Sequence, residues 1–541
     1  MSAGYWLVWQ LPNPQTPSRQ LSDKMNDEQR IPSAAGSDSL KGVAHYVDMD
    51  VDGGSAHLDP KLERKLRLKI DLCIVPIVAI LYLFCFIDRA NLGMPSVSVP
   101  EINAYALLHC TGNARIAGMD KDLGMKGYDY NMVISIFYIS YILFEIPSNI
   151  LCKWMGPGWF IPLLTVLFGV ASVGTAFVET VPQAAGVRFL LGIFEAGMMP
   201  GIAYYLSRWY RRSELAFRLS LYIVMAPLAG AFGGLLATAI LRLNNFGSLH
   251  SWRMIFAIEG IITVLLGIVA FVILTDRPET ARWLSPEEKQ LAIARIQSER
   301  VGSTQVLDRI DTKKLRRGIF NPVTLSTAFV FLLNNITVQG LAFFAPTIVA
   351  TIYKDSTVVQ KQLYTVPPYV VGAFFTVLFP LISWRIDRRQ IFFILSAPLV
   401  MVGYSMFLGS HDASVRYGAT FLIASSAFSL GALTNAQVSA NVVGDTTRSA
   451  AIGTNVMFGN TGGLISAWSY LPFDAPNYRI GNGLNLAAAG TVLIISTLTL
   501  LWMKADNKRR RSVDVDEELR HKTQQEIEDM DWTHPGFLWK P

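Results

Sequence analysis

The chain has 541 residues and a mass of 59.9 kDa. Charged residues make up 16% of it and apolar residues 51%, with a mean hydropathy of +0.34; ordinary soluble domains carry roughly 25% charged residues. This balance excludes a soluble enzyme, a disordered chain and a disulfide scaffold. Because the apolar residues arrive in blocks, it points to an all-α polytopic membrane protein.

The net charge of +6 comes from basic residues placed beside apolar blocks. Membrane topology, not nucleic acid, accounts for that placement. Cys73, Cys85, Cys110 and Cys152 show no CxxC spacing, and the seven histidines form no HExxH and no cluster. No metal site, disulfide framework or cofactor is therefore expected. There is also no GxxxxGK[ST] to bind a nucleotide, and no nucleophile–base constellation. These absences disfavour ATP-driven transport and a membrane enzyme.

Residues 1–60 are polar, rich in Ser, Asp, Pro and Gly, and read as a disordered tail without an apolar leader. Twelve spans follow, at about 71–93, 131–152, 159–178, 182–206, 217–242, 252–274, 323–350, 363–384, 390–409, 416–437, 450–471 and 483–503. Residues 61–274 carry the first six and 323–503 the last six. The loop at 275–322 separates them, and Ser285-Pro-Glu-Glu288 within it reads as a capping box that starts a surface helix. A charged tail, 504–541, closes the chain.

Lysine and arginine assign the sides. Lys61, Arg64, Lys65, Arg67 and Lys69 precede span 1, and Arg208, Arg211 and Arg212 fill the loop between spans 4 and 5. The central loop holds ten basic residues, and Arg385, Arg388 and Arg389 follow span 8. The alternate loops hold few, so both termini are expected to be cytoplasmic.

Charge inside the spans marks the candidate site, because each such residue costs a few kcal/mol in lipid. The apolar run of span 1, Leu72 to Ile87, covers only about 24 Å as a helix. The helix must therefore continue through Asp88-Arg89-Ala-Asn-Leu-Gly93, which brings Asp88 and Arg89 within the bilayer. In span 4, Arg188 and Glu195 lie seven residues apart, on one helix face and about 10 Å from each other. A carboxylate that gains or loses a proton according to whether an anion occupies the arginine would make a switch. A static Arg–Glu bridge is the simpler alternative.

Glu145 and Asn149 lie one turn apart near the end of span 2 and suit a latch between halves, the alternative for Glu145 being the substrate site. The second half offers neutral groups instead, among them Asn335, Gln339 and Asn435, suited to substrate contact. Small residues at helix-contact spacing, Gly197 and Gly201 in span 4 and Ala226, Gly230 and Gly234 in span 5, allow close helix approach.

Several stretches together resemble a known family. They include Asp88-Arg-Ala-Asn-Leu-Gly93, Tyr141 to Asn149, Lys153-Trp-Met-Gly-Pro157 and Arg188 to Gly201. Further on come Trp252 to Gly260, Arg277-Pro-Glu-Thr-Ala-Arg-Trp-Leu284, Gln339 to Pro346 and His534-Pro-Gly-Phe537. With six plus six spans they resemble the major facilitator superfamily, and within it the anion:cation symporters of the fungal allantoate and nicotinate permease-like group.

The resemblance implies proton-coupled import of a small organic anion by alternating access. Asp88 and Glu195 would couple the proton, Arg89 and Arg188 would hold the anion, and Lys153 would join Glu145 and Asn149 in gating. It further implies a monomer in the plasma membrane. The superfamily's loop 2–3 motif is degenerate here, and its loop 8–9 copy, Trp384-Arg-Ile-Asp-Arg-Arg389, is also altered. Rival readings are an efflux transporter for a fungal metabolite and a nutrient sensor.

Residues 94–112 stand apart. Removing them joins Leu92-Gly93 to Asn113-Ala114, which restores an unbroken family-like motif. The 19 residues correspond to 57 nucleotides, and Gly93-Met94 and Thr111-Gly112 can encode donor and acceptor splice sites in matching phase. Pro95 and Pro100 would also break span 1. The segment reads as a retained intron, the alternative being an insertion in an external loop. Sequencing the spliced transcript decides between them.

Overall fold

The computed structural model describes residues 47–48, 57–58, 60–92, 119–126, 128–241, 243, 249–297, 311–352, 358–470, 474 and 477–541. Two compact units are present, Met1–Leu62 and Glu63–Pro541. In the first, Val47–Asp48 pairs antiparallel with His57–Leu58; the rest of the expected disordered tail lies outside the described residues. The segment 94–112 lies outside them too.

The second unit is helical. Span 1 is the helix Pro60–Leu92, 33 residues or about 50 Å long, and it carries straight through Asp88 and Arg89. Spans 2 and 3 are Asp129–Met155 and Pro157–Thr175, with Gly156 at φ +86° making the tight corner between them. Span 4 runs as Val181–Glu195 and Met198–Ser207, broken at Ala196–Gly197, and Thr180 caps its start. Span 5 is similarly divided into Arg212–Ile223 and Met225–Leu241, and span 6 is Trp252–Ile273.

The second half repeats the plan with Pro322–Ile352, Val358–Ile386, Gln390–Gly409, Ala413–Ala427 continued by Leu430–Ala440, Asp445–Ala467 and Arg479–Arg510. These are spans 7 to 12. Among the described residues, eleven helices are long and apolar enough to cross a membrane. The remaining expected span, the eleventh, is Asp445–Ala467. It has the length, at 23 residues, but Asp445, Arg448, Asn455 and Asn460 make it more polar. All four are buried, so this helix lies inside the bundle rather than against lipid.

Packing between spans relies on missing side chains. A Cβ on Gly169 would come within 2.9 Å of the Val264 backbone nitrogen, and one on Gly260 within 2.7 Å of Val173 N, so spans 3 and 6 approach backbone to backbone. The small residues of span 4 make room for side chains instead: Gly197 for Ser148, Leu164 and Phe160, and Gly201 for Cys152.

In the central loop the helix Pro286–Gln297 starts at Ser285, whose backbone N–H donates to Glu288 while its hydroxyl accepts from Glu288 N. Arg295 of this helix reaches Glu63 at 3.0 Å and also bonds Glu214, and Arg67 reaches Glu214 at 3.0 Å. Arg67, Arg211 and Arg295 gather around Glu63 and Glu214, and Arg317 and Arg510 both bond Trp532; the side of the bundle that carries these residues is called the basic face. The chain's C-terminal segment also docks on this face. Span 12 continues to Arg510, seven residues beyond its expected end, and short helices follow at Val515–Leu519 and Gln524–Asp529.

Candidate functional site

Four charged side chains meet between spans 1 and 4. Arg89 Nε donates to Glu195 Oε2 at 2.7 Å, and Arg188 Nη1 donates to Asp88 Oδ2 at 3.1 Å. Arg188 and Glu195, two turns apart on one face, do not bridge to each other; each takes its partner from span 1. Adjacent residues on a helix point about 100° apart, so Asp88 and Arg89 serve two partners at different depths. The pairs are therefore crossed, with one acid and one base on each helix. Exposure is 3% for Asp88, 2% for Arg188 and 0% for Glu195, whereas the Arg89 side chain is partly open at 14%.

Its surroundings hold the charges in place. Ser172 Oγ of span 3 donates to Asp88 Oδ1 at 2.7 Å. Cys85, one turn before Arg89, lies 3.3 Å from Glu195 Oε2 and 3.7 Å from Arg89 Nη2. The Arg89 guanidinium sits 4.8 Å from the Tyr141 ring, 5.1 Å from Phe86 and 5.4 Å from Phe137, and Arg188 sits 5.3 Å from Phe256. Some bonding capacity remains unused: Arg188 Nε and Nη2 and Glu195 Oε1 are buried without a hydrogen-bond partner. Two free nitrogens on one guanidinium are the fork that binds a carboxylate bidentately.

The neutral residues of the second half are engaged elsewhere. Asn335 donates to Gly459 O at 2.6 Å, which links spans 7 and 11. Asn435 donates to Gly431 O at 2.9 Å and accepts from Asn455 at 3.3 Å. Gln339 is buried on span 7, one turn beyond Asn335. None of the bonds made by Asn335 or Asn435 reaches the charged quartet.

Spans 2 and 11 meet along a seam between the halves. On the basic face, Asn149 Nδ2 donates to Ser449 O, and Ser449 Oγ donates back to Asn149 O at 3.2 Å. Lys153 bonds Thr446 and pairs with Asp445 at 3.3 Å, while Tyr204 Oη donates to Asp445 at 2.8 Å. On the opposite face, Asn131 donates to Ala467 O at 3.2 Å and Trp468 Nε1 to Ser135 Oγ at 2.9 Å.

Glu145, one turn before Asn149, is buried, and neither of its carboxylate oxygens has a hydrogen-bond partner, so no hydrogen bond joins it to the latch.

A second contact of the halves escaped the sequence reading. Trp384, at the end of span 8, stacks on Phe217 of span 5 with centroids 5.4 Å apart and planes 11° apart. The Arg218 guanidinium lies 4.6 Å and that of Arg67 5.6 Å from the Trp384 ring. Arg218 is itself held by Asp71 at 3.0 and 3.2 Å. The available signal was the altered loop 8–9 motif, which has a tryptophan just before its arginines.

Comparison with known proteins agrees with this architecture. The sequence model of the family described as Major Facilitator Superfamily matches residues 79–467. The chain is 34% identical to the MFS transporter prlL of Fungal sp. (strain NRRL 50135), over 78% of this chain and 83% of that one. It is 33% identical to an uncharacterized transporter of Schizosaccharomyces pombe, over 84% and 85% of the two chains. Among solved structures, the proton:xylose symporter XylE superposes with a TM-score of 0.61 at 15% identity, covering 80% of this chain and 96% of that one. The human organic anion transporter MFSD10 superposes with a TM-score of 0.53 at 14% identity, covering 79% and 99%. The matched family model spans most of the twelve-helix bundle, including both ion pairs and the seam between halves, and the chain belongs to the major facilitator superfamily.

Proposed function

We propose that this transporter imports a small organic anion together with a proton, as a member of the anion:cation symporter branch, through a site built on Asp88, Arg89, Arg188 and Glu195. The observation that carries this reading is the crossed pairing of two acids and two bases, three of them buried, with two Arg188 nitrogens left unpartnered. An incoming carboxylate fits those nitrogens and competes with Asp88 and Glu195 for the guanidinium groups.

Charge balance then supplies the coupling. The quartet is neutral as it stands, and a monoanion would leave it at minus one in a medium where net charge is costly. One proton on Asp88 or Glu195 restores neutrality, so one proton moves with each monoanion. Rocking of the two halves about this site carries both across. Asn335, Gln339 and Asn435 line the opposing half, and Asn149 and Lys153 close the seam with span 11. The fold accommodates such a cargo and such an ion, as the organic anion transporter and the proton symporter of this architecture illustrate. The basic face is cytoplasmic in this reading, the membrane is the plasma membrane and the protein works as a monomer.

The test is uptake of labelled carboxylates, nicotinate and allantoate among them, into proteoliposomes under an imposed inward proton gradient. Accumulation that a protonophore collapses is the expected result. Accumulation with the gradient reversed would identify an efflux transporter, and binding without flux a sensor; either overturns import.

A further inference from the structure

The two contacts that close the basic face belong, on the second-half side, to different connections. Trp384 leads into the connection between spans 8 and 9, whereas Asp445, Thr446 and Ser449 begin span 11. The C-terminal segment touches both connections. Asp531 accepts hydrogen bonds from Val443 N at 3.0 Å and Gly444 N at 2.6 Å, the two residues just before Asp445. Lys540 N donates to Asn441 Oδ1 at 2.9 Å, and Asn441 Nδ2 and Gln437 Nε2 both donate to Lys540 O at 3.1 Å. On the other connection, Arg389 N donates to Pro541 O at 2.9 Å, and Lys540 Nζ lies 3.5 Å from Asp387.

The segment is held as firmly as a core element. Phe537 and Trp539 are buried with Val323, Val443 and Met503. Trp539 Nε1 donates to Asp506 at 2.7 Å, and Arg510 donates to three carbonyls, those of Trp532, His534 and Phe537. Asp531 itself sits at φ +52°, a left-handed conformation that non-glycine residues adopt at some cost. The residue is buried, at 8% exposure, and its carboxylate is aimed at the two backbone N–H groups.

We infer that the segment Asp531–Pro541 ties the Trp384 gate to the Asp445 gate, so that both engage and release the first half together, with Asp531 as the positioning residue. It holds the residues before Asp445 where Lys153 and Tyr204 meet that carboxylate. Through Pro541 and Lys540 it holds the connection that follows Trp384. This inference needs only that the two halves move relative to each other; it does not depend on the anion or the proton.

Hydrogen exchange of the full chain in nanodiscs tests it without any substrate. Asp531→Gly removes the carboxylate and suits the left-handed backbone; Asn441→Ala cuts the tie from the other side. Asp529→Ala, which breaks only the peripheral pair with Lys314, is the control. Both test variants should raise exchange about fivefold or more in 441–449 and also in 383–390. The decisive rise is in the first-half segments that face the gates, 150–156 and 213–219. A rise confined to 441–449, with the first half as protected as in the control, would show that the segment only packs locally and would overturn the inference. Purified Asn441→Ala keeps the question open to measurement if Asp531→Gly does not fold.

Discussion

The two halves of the bundle solve the same problem differently. In the first half, the polar groups inside the spans are charged and satisfy one another across helices, Arg89 with Glu195 and Arg188 with Asp88. In the second half, apart from Asp445 and Arg448 at the start of span 11, they are mostly amides that bond backbone carbonyls. Asn334 donates to Ala427 O, Asn335 to Gly459 O and Asn485 to Gly481 O. An amide bonded to a carbonyl has one good arrangement and acts as glue. A crossed pair of ion pairs can exchange partners with an anion or a proton. In the proposed mechanism the first half would change state while the second holds its shape.

The largest effect should follow from removing one charge of the quartet. Glu195→Gln should abolish gradient-driven accumulation, since an amide cannot take up and release the coupling proton. Exchange of labelled for unlabelled anion should survive. Normal accumulation against a gradient in this variant would end the coupling role.

Next comes Arg188→Lys, which keeps the charge and loses the planar fork. Uptake kinetics should show KM raised about tenfold with the protein still in the membrane. An unchanged KM for both this variant and Arg89→Ala would remove the anion clamp. Trp384→Ala deletes a stacked ring and three cation–π contacts, those of Arg67, Arg218 and Arg385, worth about 1–2 kcal/mol together. Cysteine-labelling rates at the basic face should rise about tenfold, and a rate equal to wild type would show that this contact does not gate.

In the second half the comparison predicts less. Asn335→Ala and Asn435→Ala should each lower thermal stability by about 1 kcal/mol and leave the pH dependence of uptake intact. If Asn435→Ala instead abolishes proton dependence, the contrast between halves fails.

The smallest effect lies at the surface helix of the central loop. Burial pushes the Glu288 carboxyl up, but the Lys69 ammonium at 2.6 Å and the Ser285 N–H outweigh it and hold it below the ordinary range. Its contribution is therefore present above the ordinary glutamate value of about 4.3 and fades as pH falls through the lower folded value. Wild type should lose about a degree or two of melting temperature relative to Glu288→Gln on going from neutral pH to below that value. A constant difference across the range would show that the pair adds nothing.

The sequence made the quartet legible because charge is conspicuous in apolar helices. Its pairing was not legible, since only the fold places span 1 beside span 4. Seven-residue spacing put Arg188 and Glu195 on one face, yet two turns of rise separate them beyond contact. Glu145 was grouped with Asn149 by the same helical spacing, but only Asn149 bonds the second half. Span 11 was found as an apolar stretch although its interior position lets it carry Asp445 and Arg448. The docking of the C-terminal segment went unseen because the charged residues from Lys504 to Met530 mask it. Trp532, Phe537 and Trp539, large aromatics closing a polar tail, were the available signal.

The contact of spans 3 and 6 has a consequence for where this molecule can bend. With no Cβ at Gly169 or Gly260, the two backbones touch, and neither helix can slide without driving main chain into main chain. Compliance is therefore excluded from the interior of the first half. It is left to surfaces such as Asn149–Ser449 and Trp384–Phe217, where side chains can part and re-form their bonds in water. A methyl group at Gly169 would not stiffen the hinge. It would wedge the rigid body itself, and the loss would appear as a protein that fails to assemble, not as one that assembles and transports slowly.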